Sequence, residues 1–232
     1  MSQPEGIAID GLGNIWAGNT SGSVTKLSST GSPISPSTGY VNNPQSHFYY
    51  QPSGLAIDVL NNVWVNNDPN SIAELSNSGV QISPAEGFTG GGAANNFHIA
   101  LDNSGSAWIT NTLAGTVSKF SHSGAALSPS TGYVGIPIAE GIAIDGSGNA
   151  WVASASTPGL FELSNSGTMI SPNLGYSTSS DPSFVAIDGS GDVWLTNPTS
   201  NPGTVTEFIG VATPVITPSV AAVKSSMIAS RP

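Results

Sequence analysis

The chain has 232 residues, with 4 basic against 14 acidic side chains, a net charge of −10 and no cysteine. That length allows one substantial core, disulfides and thiolate metal sites are excluded, and four scattered cations (Lys26, Lys119, Lys224, Arg231) cannot form the basic track that nucleic acid or an anionic membrane needs. No apolar run approaches the ~20 residues of a membrane-spanning helix, and the opening MSQPEGIAID has no signal-peptide pattern.

In chain order the dominant feature is a sentence written five times: GIAIDGLGNIW, GLAIDVLNNVW, HIALDNSGSAW, GIAIDGSGNAW and FVAIDGSGDVW. Each copy ends on one of the five tryptophans, Trp16, Trp64, Trp108, Trp151 and Trp194, spaced by 48, 44, 43 and 43 residues. Short strands repeating every ~40–50 residues predict a β-propeller with one blade per repeat. The expected fold is therefore all-β, with five four-stranded blades over residues 1–218 and a loose tail over 219–232.

Within a repeat, strand a is Ile7–Asp10 and its copies, with Ala8, Ala56, Ala100, Ala143 and Ala186 at its crowded middle. The a–b connection is Asp/Gly/Asn turn chemistry. Its five copies look faintly like calcium loops, but one carboxylate each reads as plain turn. Strand b carries the tryptophan, which can bury ~150–250 Å² between blades. Strand c reads VTKL, IAEL, VSKF, LFEL and VTEF. There Lys26, Glu74, Lys119, Glu162 and Glu207 share one position and read as solvated charges. Strand d contains Pro36, Pro84, Pro129, Pro172 and Pro218, as suits an outer edge. In the last repeat Thr213–Thr217 is the expected fourth strand. Three assemblies fit: a closed ring, an open arc completed as a homodimer through blade edges, or a fragment of a larger ring.

The repeat P-x-G-[IL]-A-[IV]-D-x-x-G-N-x-W resembles NHL-type repeats, and within them the streptogramin (virginiamycin B) lyase and gluconolactonase-like propellers. It covers residues 4–210. The resemblance implies rings of seven or six blades with a divalent metal near the axis, held or served by His, Glu, Asp and Asn. Where the lyases carry W-F-T-E, this chain reads WAGN, WVNN, WITN, WVAS and WLTN.

Chemistry is sought where the repeat is broken. The acids that belong to no repeat position (Glu5, Asp68, Glu86, Glu140, Asp181) fall in or beside the d–a and b–c loops. These loops share the face on which strand a enters beside the axis. His98 replaces the glycine of Gly6, Gly54 and Gly141, and His47 sits in the longest d–a loop with Phe48, Tyr49 and Tyr50. Those aromatics either plug the channel or wall a pocket. His122, on the opposite face, reads as a bystander. The expected catalytic residues are His98, His47 and Glu140. The expected ligands of a divalent metal (Ca, Mg or Zn) are Glu5, Glu140, His98, Asn67 and Asn111. The strand-b ends Asn19, Asn67, Asn111 and Asn197 recur, which favours a scaffold role for them. Phe97, Tyr49, Tyr50, Asp181 and Phe184 would wall the substrate pocket. Two functions follow: a metal-assisted hydrolase or lyase acting on a small ester, lactone or phosphoester, or a non-catalytic binding or structural propeller. The Ser/Thr/Asn/Gly-rich, Lys-poor composition reads as secreted or periplasmic.

Overall fold

The computed structural model describes residues 3–41, 52–67, 70–156, 159–178 and 180–215. These residues form seventeen strands in five antiparallel sheets and no helix. Blade 1 is β1 (Pro4–Ile9), β2 (Ile15–Asn19) and β3 (Ser23–Leu27); blade 2 is β4 (Leu55–Ile57), β5 (Val63–Asn67) and β6 (Ser71–Leu75). Blade 3 is β7 (Asn96–Leu101), β8 (Ala107–Asn111), β9 (Thr116–Phe120) and β10 (Tyr133–Val134). Blade 4 is β11 (Ala139–Ile144), β12 (Ala150–Ser154), β13 (Gly159–Leu163) and β14 (Tyr176–Ser177); blade 5 is β15 (Phe184–Ile187), β16 (Val193–Asn197) and β17 (Thr204–Phe208).

The turn aspartate organises each blade. Asp10 Oδ1 accepts the amides of Leu12 and Asn14, which fixes the a–b turn, while Oδ2 accepts the Trp16 indole N–H at 3.0 Å. The same clamp recurs as Asp102–Trp108 at 3.1 Å, Asp145–Trp151 at 3.4 Å and Asp188–Trp194 at 3.2 Å. Blade 2 departs: its turn reads DVLNN, and the buried Trp64 Nε1 has no partner. Each held indole then packs into the next blade. Trp16 meets Leu55, Val63 and Val65; Trp64 meets Ile99 and Ile109; Trp108 meets Ile142 and Val152; Trp151 meets Val193 and Leu195. Trp194 has no following blade among the described residues and is 38% exposed. At the other end Ile7, whose counterpart Ile142 is 7% exposed, is 70% exposed. Among the described residues the five blades therefore form an arc with no blade packed on either end face.

Strand d differs from expectation. Blades 3 and 4 have a short fourth strand, but in blades 1 and 2 only isolated bridges form (Leu27–Pro33, Val24–Tyr40, Leu75–Gln81, Ile72–Phe88). The reason is the Ser-Pro-x-x-Gly segment. The amides of Gly39, Gly87, Gly132 and Gly175 donate to the carbonyls of Pro36, Pro84, Pro129 and Pro172, so proline opens a β-turn instead of lying in an edge strand. The expected strand over Thr213–Thr217 does not form across its described part. Residues 211–215 instead cross the a–b turns of blades 4 and 5, where Gly146 N donates to Thr213 O and Ala212 N to Gly191 O. Pro218 and the tail at 219–232 lie outside the described residues.

The strand-c charges also differ from expectation: Lys26, Glu74, Lys119 and Glu162 are buried, and of the five only Glu207, on the last blade, is exposed. The position faces the next blade. Lys26 Nζ donates to Asn77 O at 2.7 Å, lies 3.7 Å from Asp10 and sits 4.6 Å above the Trp16 ring; Lys119 does the same with Asn165, Asp102 and Trp108. Burial pushes the Asp10 carboxyl upward, but hydrogen bonds from Asn14, Trp16 and Asn77 outweigh it and hold the group below the usual carboxylate range. At Glu74 burial wins. With the Asp58 charge it raises the pKa from 4.5 to about 7, against the Asn62 hydrogen bond.

Two outcomes follow. Trp108→Ala is expected to lose about 3–5 kcal/mol of unfolding free energy, and Trp194→Ala much less, as read from urea midpoints. For Glu74 the folded pKa exceeds the unfolded one, so its contribution is intact below about pH 4.5 and is lost as pH rises to about 7. The melting temperature of Glu74→Gln should therefore exceed that of the wild type more at pH ~8 than at pH ~5.

Candidate functional site

A cleft of about 220 Å³ opens on the face where the d–a and b–c loops meet. It is lined by Glu5 from blade 1, Ser53 from blade 2, and Asn95, Asn96, Phe97, Thr112 and Leu113 from blade 3. β-Bulges shape this mouth. Register slips at the start of β1, β7 and β11, between Pro4 and Gly6, Asn96 and Ile99, and Ala139 and Ile142. A bulge re-aims the side chain it carries, and the three carry Glu5, Phe97–His98 and Glu140. Two residues upstream of Glu5, Phe97 and Glu140 stand Gln3, Asn95 and Ile138, all with positive φ. Their carbonyls accept the amides of Thr20, Thr112 and Ala155 just beyond strand b. The unusual backbone is thus a repeated scaffold device.

In blades 2 and 3 a buried polar side chain near the end of strand b ties the mouth to the next blade. Asn66 Oδ1 accepts the Gly54 amide at 2.7 Å, and its Nδ2 reaches the Phe97 carbonyl of the next blade at 2.7 Å and Ser53 Oγ at 2.9 Å. Ser53 Oγ donates to the same Phe97 carbonyl at 2.7 Å. In blade 3 Thr110 Oγ1 accepts the His98 amide and donates to the Glu140 carbonyl at 2.6 Å.

Phe97, His98 and Phe184 form an aromatic bridge. The Phe97 and His98 rings stack at 4.7 Å and 6°, and His98 meets Phe184 at 4.7 Å and 51°. His98 and Phe184 stand at the strand-a start that is glycine in the other repeats. Gly141, on the blade between them, has no side chain to part them, and a Cβ there would collide with the Phe184 backbone. Burial lowers the His98 pKa from 6.5 to about 4, so the imidazole is neutral near pH 7. No protein group among the described residues hydrogen-bonds its ring nitrogens.

Of the expected site residues, the structure brings Glu5 and Phe97 into one cleft and Phe97, His98 and Phe184 into one stack. Glu140 is half-buried on blade 4 and Asp181 half-buried before β15; neither lines the cleft. Asn111 Nδ2 donates to Thr116 and Ser118 hydroxyls, and Asn67 Nδ2 to the Ser71 hydroxyl, so both clamp strand b to strand c. His47, Phe48, Tyr49, Tyr50 and Asp68 lie outside the described residues. Among the described residues no three His, Asp or Glu side chains gather where they could hold a metal. Among the described residues the donors do not fit the divalent ion that the resemblance implies: Asn111 is committed within its blade and His98 lies between phenyl rings. Sequence reading missed Asn95, Asn96, Thr112 and Leu113. The second residue after the tryptophan, polar in three repeats as Asn66, Thr110 and Thr196, was the available signal for the mouth.

No family model matches the chain, and no curated protein matches it. Solved structures do. A streptogramin B lyase matches with TM-score 0.63 and 16% identity over 88% of this chain and 67% of that one. A gluconolactonase from Xanthomonas campestris gives 0.64 and 13% over 89% and 72%. The extracellular domain of a putative hybrid two-component system from B. thetaiotaomicron gives 0.66 and 16% over 89% of this chain and 27% of that one. The fold is a β-propeller of the type shared by streptogramin lyase and gluconolactonase structures.

Titration tests the bridge. His98 has a folded pKa below its unfolded value, so stability is full above about 6.5 and is lost as pH falls toward about 4. An NMR titration should place the His98 midpoint near 4, and His98→Leu should remove part of the acid destabilisation. A midpoint near the ordinary 6.5 would mean that the ring is solvated.

Proposed function

We propose that this chain is a small-molecule-binding propeller whose ligand sits in the cleft bounded by Glu5, Ser53, Asn96, Phe97 and Leu113. One observation carries the reading. An open cleft of about 220 Å³ sets the exposed Glu5 carboxylate on one side and Leu113, an apolar side chain 80% exposed, on the other. A bare apolar wall beside a carboxylate in a concave site is what a small ligand with an apolar body and a polar group would cover. Lyase, gluconolactonase and sensor-domain neighbours share the fold, so the fold leaves the function open and the site decides it.

Hydrolysis or elimination at this mouth draws support from the first two of those neighbours, but among the described residues that line the cleft Glu5 is the one acid–base group, with no electrophile or second acid–base group beside it. Phe97 lines the cleft and is stacked on His98, while His98 does not line it. Turnover is therefore not part of the reading.

A fragment library screened by ligand-observed NMR should give hits that Leu113→Asp abolishes, because Leu113 is an exposed apolar wall of the cleft. An ester, lactone and phosphotriester panel should show no turnover, with or without chelator. Hits indifferent to Leu113→Asp would place the site elsewhere, and turnover would restore the enzyme reading.

A further inference from the structure

The a–b turns of the five blades lie on the face opposite the cleft, and two of them break the repeat in a way the turn does not need. The third turn residue is Leu12 in blade 1 and Leu60 in blade 2, where blades 3, 4 and 5 have Ser104, Ser147 and Ser190. All five supply the same backbone amide to Oδ1 of the turn aspartate. The leucine side chains therefore add nothing to the turn. Leu12 is 65% exposed and Leu60 74%, beside Val59 at 61%. The Gly11 amide donates to Asn61 Oδ1 at 2.7 Å, so the three bare side chains flank one hydrogen bond that joins the two turns. A grouped apolar exposure of this kind marks a contact surface.

What covers the patch follows from charge and reach. The patch borders acid: Asp58 closes the blade 2 turn, and the strand-c position that is Lys26 in blade 1 and Lys119 in blade 3 is Glu74 in blade 2. The chain has 4 cations. Lys26 and Lys119 are buried beside Asp10 and Asp102, and the other two, Lys224 and Arg231, fall in residues 216–232, a stretch with no Asp or Glu. That stretch also carries Val220, Val223, Met227 and Ile228. The described chain leads into it on this same face: Thr213 O accepts the Gly146 amide, and Val215 N lies 3.5 Å from Asp188 O. A chain of that length spans roughly 55 Å when extended, more than the ~30 Å breadth of a small domain.

We infer that residues 216–232 cross the a–b turn face and dock on blades 1 and 2, with the apolar side chains between Val220 and Ile228 covering Leu12, Val59 and Leu60, and Lys224 set against the Asp58 turn. Apolar cover supplies the attraction, and the opposite charges fix where along the face the segment settles. The contact ties the end of the chain that leaves blade 5 back to the first two blades, a link that seams between successive blades do not make.

The chain has no cysteine, so Ser230→Cys gives one site for a nitroxide label on the full chain. In methyl NMR spectra the label should remove the Leu12, Val59 and Leu60 signals, which return when the nitroxide is reduced, while Leu113 on the opposite face keeps its signal. Leu12→Ser combined with Leu60→Ser installs the residue of the other three turns and keeps the fold; it should restore the Val59 signal in the labelled protein. Leu12, Val59 and Leu60 signals unmoved by the label, a loss equal to that at Leu113, or a Val59 signal still missing in the double variant overturns the docking. An equal loss in a mixture of nitroxide-bearing and isotope-labelled chains assigns the patch to the tail of a second copy and overturns the contact within one chain.

Discussion

Everything in this fold hangs on an aspartate with two jobs. One carboxylate oxygen closes the a–b turn by taking two backbone amides, and the other takes the indole N–H of the tryptophan six residues on. The turn and the largest side chain of the blade are thereby fixed relative to each other. An indole whose N–H is satisfied can be buried without the penalty of an unpaired donor, and it is buried against the next blade rather than its own. No blade completes its own core. Cohesion runs from neighbour to neighbour, as in other repeat architectures, which is why, among the described residues, Ile7 on the first blade and Trp194 on the last are exposed while their counterparts Ile142 and Trp108 are buried.

The same geometry explains the buried charges. Once the tryptophan faces the following blade, the strand-c residue paired with it faces there too: Lys26 pairs with Trp16, Glu74 with Trp64, Lys119 with Trp108. A lysine in that seam has the turn aspartate, the indole face and a hairpin asparagine to meet, and all three stabilise the cation. A glutamate at the same place lies near that aspartate instead of opposite it, so burial and like charge drive it toward the neutral form. The alternation of Lys and Glu along the chain is an alternation of seam chemistry.

Strands a, b and c, and the blade count, were legible because they rest on local chemistry: alternating apolar residues, Asp/Gly/Asn turns and a fixed tryptophan. Strand d was not, because Ser-Pro-x-x-Gly reads equally as an edge strand or as a turn, and the Gly39-to-Pro36 hydrogen bond decides for the turn. Lys26 and Glu74 were misread because periodicity within a blade says nothing about what the next blade covers. At the site, breaks in the repeat led to Glu5, Phe97, His98 and Phe184, all of which gather at the mouth. Asn96 and Leu113 stayed invisible. Leu113 lies in a loop with no repeat rule to break, and Asn96 stands out only after every neighbouring hydrogen bond has been assigned.

The mouth is built under a steric rule that also limits its chemistry. A side chain at the start of strand a would strike the next blade, as Gly6 against Ser53 and Gly141 against Phe184 show. Large residues fit there only where the intervening blade gives way, so His98 and Phe184 meet across Gly141. Their rings close on each other and on Phe97, which takes the imidazole away from solvent and lowers its basicity. The hydrogen bonds that lock the bulges consume the hydroxyl and amide donors around them. Among the described residues, a mouth locked in this way keeps the Glu5 carboxylate and apolar walls, while the hydroxyl and amide donors of Ser53, Asn66, Thr110 and Thr112 are spent on the scaffold.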